Sequence, residues 1–158
     1  MPRSPVPAGD YELVFLLGLS YQLFIEEFSR RVAAAGYADL RPVHGYVFQA
    51  LAADGATGSE VAERLGITKQ AAGQMLDELE HRGYVRRQDH PRGGRRRLVV
   101  LTERGREHLR AAGAILRQLE AEWAAELGTG RMARLRGDLA TLVATASGGV
   151  IPALRPIW

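Results

Sequence analysis

The chain has no cysteine among its 158 residues. That absence excludes disulfide staples, zinc sites built on thiolates and redox sensing through sulfur, and it suits a reducing cytoplasm. Long hydrophobic runs are missing too. The most extended, "LVFLLGL" from Leu13 to Leu19, is far short of the roughly 20 apolar residues that a membrane helix needs. The opening "MPRSPVPAG" has no apolar stretch of its own and is not expected to act as a secretory signal. The expected setting is therefore the cytoplasm, without membrane contact. Catalytic constellations are absent as well: no nucleophile–base pairing, no paired carboxylates aimed at a pocket, and no phosphate-cradling glycine loop. The segment "HPRGGRR" only superficially resembles such a loop, so an enzyme is not expected. Lysine is almost absent, with Lys69 alone beside twenty arginines.

What is present describes an ordinary folded chain. Apolar residues make up 46% and charged residues 25%, and the length suits one compact domain with a real core. The net charge of +3 is unevenly spread. Residues 82–97 carry seven arginines (82, 86, 87, 92, 95, 96 and 97) against Asp89 alone, a local +6 on a body of −3. A basic element on a mildly acidic body is the electrostatic outline of a localised phosphate contact; a solvated charge run is the competing reading.

Periodicity orders the elements. Residues 1–9, with three prolines, read as a flexible lead-in. From Asp10 to about Ala35 a helix is expected, with Leu13, Leu16, Leu17, Ser20, Phe24 and Phe28 on its stripe, Asp10 as cap and Gly36 as terminator. A shorter helix follows from about Pro42 to Ala53. In "TGSEVAERLGITKQAAGQMLDELEHRGYV", Thr57 or Ser59 starts a helix whose Val61, Ala62 and Leu65 point inward. Gly66 ends it in the left-handed conformation, and Ile67 is a buried staple. Thr68 caps a second helix running to about Arg82, with Ala72, Met75, Leu76 and Leu79 inside. Two helices joined through "LGIT" form a helix-turn-helix. Beyond Gly83 the period becomes two: "YVRRQD" and "RRRLVVLT" are strands around the turn "HPRGG". Thr102 caps a long helix with Leu109, Ala112, Leu116, Leu119 and Trp123 in a heptad-like seam. A last helix from Arg131 to about Ala146 directs Met132, Leu135, Leu139, Leu142 and Val143 inward. The apolar, proline-broken ending "GGVIPALRPIW" is expected to dock.

The fold class is thus mainly α with a small β-hairpin wing: a winged helix-turn-helix flanked by N- and C-terminal dimerisation helices. "AERLGIT", "LDELEHRGYV" and "LTERG" at these separations resemble the MarR family of bacterial transcriptional regulators over about residues 11–146. The resemblance implies a homodimer whose terminal helices interdigitate, with residues 10–36 and 102–158 forming the dimerisation region. Residues 37–101 would be the DNA-binding region, with a recognition helix at about 68–82 and a wing at about 84–101. It further implies palindromic double-stranded DNA as partner, repression as the usual outcome, and a small-molecule site in the crevice between the two regions.

The residues agree with a DNA-binding role. Lys69, Gln70, Gly73, Gln74 and Asp77 face away from the inner stripe of the second helix. Glutamine can grip an adenine edge and lysine can reach guanine or phosphate. Ser59 and Thr68 are placed to bond phosphates near helix N-termini, and Thr68 also serves as a plain cap. Gly73 is costly inside a helix, by about 1 kcal/mol relative to Ala; it permits close approach to DNA or is tolerated through packing. In the wing, Arg92, Arg95, Arg96 and Arg97 supply charge. By the resemblance Arg95 is the wing arginine, and Gly93 replaces the aspartate that usually orients it.

No cofactor is expected. His44, His81, His90 and His108 are scattered and make no metal spacing. The expected effector is a small aromatic or other organic molecule, or none; Tyr21, Tyr37, Arg41, His44 and Tyr46 are the candidates to face it, against ordinary packing. The rival to a DNA-binding regulator is a winged-helix dimeric scaffold without sequence-specific DNA binding. A polar recognition face speaks against that rival.

Overall fold

The computed structural model describes residue 9, residues 11–93 and residues 96–149. The lead-in (residue 9 apart), the cap at Asp10, Arg95 and the docking of the final residues lie outside the described residues.

The first helix, α1, spans Leu13–Val32, with Glu12 rather than Asp10 at its N-cap. As expected, its helical path breaks at Gly36. The last turn widens over Ala33–Tyr37, and Gly36 kinks the chain there at φ +99°. Such a kink re-aims the chain between two helices. α2, Pro42–Leu51, begins with proline in its first turn, where the missing N–H costs no intrahelical bond.

The helix-turn-helix forms as its sequence requires. α3, Gly58–Leu65, is capped by Thr57, whose hydroxyl oxygen accepts the Glu60 N–H at 3.3 Å. The Glu60 carboxylate in turn accepts the Thr57 N–H at 2.7 Å, a reciprocal capping box. Gly66 ends α3 at φ 64°, and the Ile67 N–H reaches back to the Ala62 carbonyl at 3.0 Å. Ile67 itself is half-buried rather than buried, packed on the edge of the core. α4, Lys69–His81, starts from Thr68, whose hydroxyl oxygen accepts the Ala71 N–H at 3.1 Å. Ala72, Leu76 and Leu79 are buried, whereas Met75 lies only partly inside.

The wing is a hairpin of β2, Val85–Asp89, and β3, Arg97–Leu101, paired antiparallel with Val85 opposite Leu101 and Asp89 opposite Arg97. The hairpin belongs to a three-stranded sheet. A two-residue strand, β1 (Ala56–Thr57), adds to β3 on its other edge, which periodicity over two residues could not reveal. Gly55 makes this pairing possible: a Cβ there would lie 2.4 Å from the Val99 carbonyl oxygen. α5, Glu103–Leu127, and α6, Thr129–Ala146, complete the chain.

The core lies between α2, α3, α4 and the sheet, with Phe48, Leu51, Leu76, Leu79, Tyr84 and Val99 among its fully buried members. α1 joins it through α5: Phe24 meets Trp123 edge-on at 5.1 Å, and Arg31 clasps Glu122 with bonds of 2.8 and 2.7 Å. The expected inward stripe of α6 is not covered by the described residues. No described residue of α6 is buried, and Leu135, Leu142 and Val143 are exposed. The heptad seam of α5 divides likewise: Ala112 and Leu119 are buried, Leu116 and Trp123 are not. Among the described residues no helix is long and apolar enough to cross a membrane.

Candidate nucleic-acid interface

Between α3, α4 and the wing runs an open groove of about 580 Å³. Its polar rim brings together Ser59, Lys69, Gly73, Arg96 and Arg97, and its floor is Leu76 and Val99. Five of the sequence-derived candidates therefore meet at one place although 38 residues separate the first from the last. Gln70 and Gln74 are exposed on the adjoining outer face of α4, and Thr68 is exposed at its N-terminus. Arg92 is exposed on the turn between the strands and does not line the groove. In that turn the Gly93 N–H donates to the His90 carbonyl at 2.8 Å, and Gly93 has φ +73°. The left-handed backbone explains the glycine locally, since only Gly takes it without steric cost.

A Cβ on Gly73 would meet nothing within 4 Å. Internal packing therefore does not demand this glycine; what it leaves is open space on the groove wall.

The local charge is smaller than the arginine run suggests. Arg82 donates to Glu78 at 2.6 Å and also to the Asp39 carbonyl. Arg87 pairs with Asp77 at 2.6 Å and with Glu80. Arg97 meets Asp89 across the hairpin at 3.2 Å. Arg86, Arg92 and Arg96 form no ion pair among the described residues. Glu60 and Glu63 also line the groove, and the Thr57 N–H, then its hydroxyl, hold the Glu60 carboxyl below its usual range. The sequence reading missed these carboxylates. One of the contacts, Arg82 with Glu78, is an i,i+4 pair and was open to view; those of Arg87 cross from strand to helix and were not.

The other flank of α4 is tied to α2. His44 is fully buried, and its Nδ1 accepts the Arg41 N–H at 3.1 Å, so the neutral ring carries its proton on Nε2, 3.4 Å from Glu78. Burial pushes His44 down, opposed by Glu78. Arg41 pairs with the same carboxylate at 2.7 Å. Burial works against ionised Glu78, yet His44, Arg41 and Arg82 hold it below the usual carboxylate range. Beside this network the Tyr84 hydroxyl donates to Asp39 at 2.7 Å and accepts from Arg104 at 3.0 Å.

The effector candidates all make contacts within the chain. The hydroxyls of Tyr21 and Tyr46 lie 3.3 Å apart, Tyr37 stacks edge-on against His108 at 4.8 Å, and Arg41 and His44 face Glu78. None of the five lines the groove or a second, 260 Å³ notch around Arg86 and Arg106. His108 is buried among Tyr37, Phe48 and Tyr84 with Nδ1 lacking a partner, and burial pushes it down to about 4.

A helix-turn-helix with a flanking hairpin, a polar recognition face and a cationic groove defines the winged-helix class of DNA-binding proteins. Within that class, residues 38–96 match the MarR family model. This segment is similar to the MarR-family winged helix-turn-helix, and structural neighbours extend the likeness along most of the chain. The transcriptional repressor CouR bound to a 23-mer DNA duplex is similar at 29% identity and TM-score 0.70, over 88% of this chain and 99% of that one. The MarR family protein Rv2887 of Mycobacterium tuberculosis, in complex with salicylic acid, is similar at 26% identity and TM-score 0.63, over 86% and 99%. MepR of Staphylococcus aureus, a transcription regulator of the multidrug efflux pump MepA, shares the fold at 18% identity and TM-score 0.70, over 86% and 99%. No curated protein matches the chain. The chain thus has the fold of a MarR-family transcription regulator, a fold with DNA-bound relatives.

Proposed function

We propose that this protein is a non-enzymatic, cytoplasmic transcriptional regulator, acting as a repressor, that binds palindromic double-stranded DNA as a homodimer and is released by a small organic ligand. The observation that carries the proposal is the groove where Ser59, Lys69, Gly73, Arg96 and Arg97 converge beside exposed Gln70 and Gln74. In this reading α4 enters the major groove. Gln70 and Gln74 meet base edges, Lys69 meets guanine or phosphate, and Ser59 and Thr68 meet phosphates. The wing arginines Arg92, Arg95, Arg96 and Arg97 follow the backbone alongside. Residues 37–101 form the DNA-binding region, and 10–36 with 102–158 the dimerisation region. CouR, similar along nearly its whole length, is a repressor bound to duplex DNA, which supports this direction. Effector release rests on the likeness to Rv2887 with salicylic acid, and an organic anion near Arg41 and the tyrosines Tyr21, Tyr37 and Tyr46 is the corresponding expectation here.

A gel shift on the DNA flanking the protein's own gene, run from low to high salt against random duplex, tests the reading. Preferential, salt-dependent retention is expected, and Arg95→Ala should reduce the salt slope by about one unit, as loss of one phosphate contact does. Equal affinity for random duplex would instead favour a winged-helix dimeric scaffold.

A further inference from the structure

We propose that Arg87 is a positioning residue for DNA binding: it clamps the wing to the recognition helix and so sets the width of the groove between them. The inference rests on the DNA-binding reading above and adds a residue to it.

Arg87 belongs to the arginine run, and composition alone would count it among the phosphate contacts. Its geometry says otherwise. From β2 it reaches across to α4 with three donors at once. Its backbone N–H donates to Glu80 at 2.9 Å, one guanidinium nitrogen donates to the other oxygen of the same carboxylate, and the second donates to Asp77 at 2.6 Å. The two carboxylates sit on successive turns of the α4 flank that also carries Lys69 and Gly73. The planar fork of arginine, two nitrogens on two anchors, fixes direction as well as distance in a way a single ammonium cannot. Arg87 also lines the groove, so the clamp stands at the groove itself, where a small change in angle moves Arg96 and Arg97 relative to Lys69. Asp77 is thereby accounted for. Its side chain is 70% exposed on the recognition face, where a lone carboxylate would repel phosphate; here it is turned to Arg87.

Electrostatics and positioning make opposite predictions for the carboxylates. Replacing Asp77 and Glu80 together by Asn and Gln removes two negative charges from a DNA-facing surface and frees a guanidinium. If charge alone mattered, or if Arg87 were a phosphate contact, the variant would bind DNA more tightly and with a steeper salt slope. If Arg87 positions the wing, binding weakens despite the added positive charge.

The test uses the full-length protein and a labelled duplex enriched from a random pool by the wild type. Asp77→Asn with Glu80→Gln is expected to lower affinity for that duplex about tenfold, equivalent to about 1.4 kcal/mol. Arg87→Lys, which keeps the charge but not the fork, is expected to recover little of the loss suffered by Arg87→Ala. Hydrogen exchange should show the β2 and β3 amides losing protection in the first variant while those of α2 and α3 keep theirs. Equal or tighter binding, or protection lost evenly throughout the fold, overturns the proposal. Failure of the wild type to enrich any sequence overturns the DNA-binding reading instead, and the exchange data still judge the clamp.

Discussion

Single residues here carry opposite loads that the same chemistry makes visible. Gly105 and Gly73 both sit inside helices, where glycine costs about 1 kcal/mol relative to Ala. At Gly105 a Cβ would lie 2.3 Å from the Tyr84 carbonyl, an oxygen that already accepts the Thr102 N–H and hydroxyl at 3.0 Å each. Gly105→Ala should therefore lose about 1–3 kcal/mol to overpacking, read as a lower thermal midpoint. Gly73→Ala meets open space, so it should gain about 1 kcal/mol while weakening affinity for DNA, because the new methyl faces the groove. Tighter or unchanged DNA binding by that variant would remove the close-approach role. His108 sets a pH dependence. Its native pKa is pushed down to about 4 from 6.5, so the unfolded chain binds the extra proton first as the solution is acidified. The resulting stability is fully present above about pH 6.5 and is lost as pH falls from there toward 4, by up to about 3 kcal/mol. His108→Phe should flatten denaturant midpoints across that window; a pH profile identical to the wild type would show that other groups dominate it.

At the scale of elements, α4 is braced on both flanks: by Arg87 of the wing on one side and by Arg41 and His44 of α2 on the other. That leaves the face between, with Gln70 and Gln74, free to read bases. Gln74→Ala should change the ranking of operator variants rather than scale all affinities together; an unchanged ranking would mean that Gln74 reads no base. The elements themselves were legible wherever local chemistry decides them. Thr57, Gly66, Thr68 and Thr102 each cap or end a helix as residues of their type do, and the period changed from helix to strand at Gly83. One element was not legible. β1 is only two residues long and exists because β3 offers an edge and Gly55 lets the chain approach it. The end of the first helix was legible, since Gly36 breaks the helical path where the pattern stops. In the interface the candidate list came from pattern, and the structure gathers half of it in one groove. The carboxylates that neutralise Arg87 escaped because charge was counted along the chain, whereas these ion pairs form from strand to helix.

For the molecule as a whole, the terminal helices expose more apolar surface than an isolated monomer holds comfortably. On α1, Phe15, Leu19 and Leu23 recur every four residues on a flank other than the one carrying Phe24 toward Trp123, and Leu23 is 61% exposed. On α6, Leu135 and Leu142 lie two turns apart on one face, the latter 57% exposed. A helix apolar on two flanks needs two neighbours; α5 supplies one, and in the proposed dimer a second copy supplies the other. Charge placed on the second flank should then separate the copies without unfolding the winged module, whose core lies between α2, α3, α4 and the sheet. Leu23→Glu with Leu142→Glu is expected to convert a dimer to a monomer by light scattering, with the helical signal largely retained. DNA affinity should fall with it, because two half-sites about 34–36 Å apart reward only a linked pair of modules. On a duplex carrying a single half-site, wild type and variant should bind nearly alike. A wild type that stays monomeric at low concentration, or a variant that loses affinity equally on both duplexes, would mean that the apolar flanks serve the fold of one chain and not its pairing.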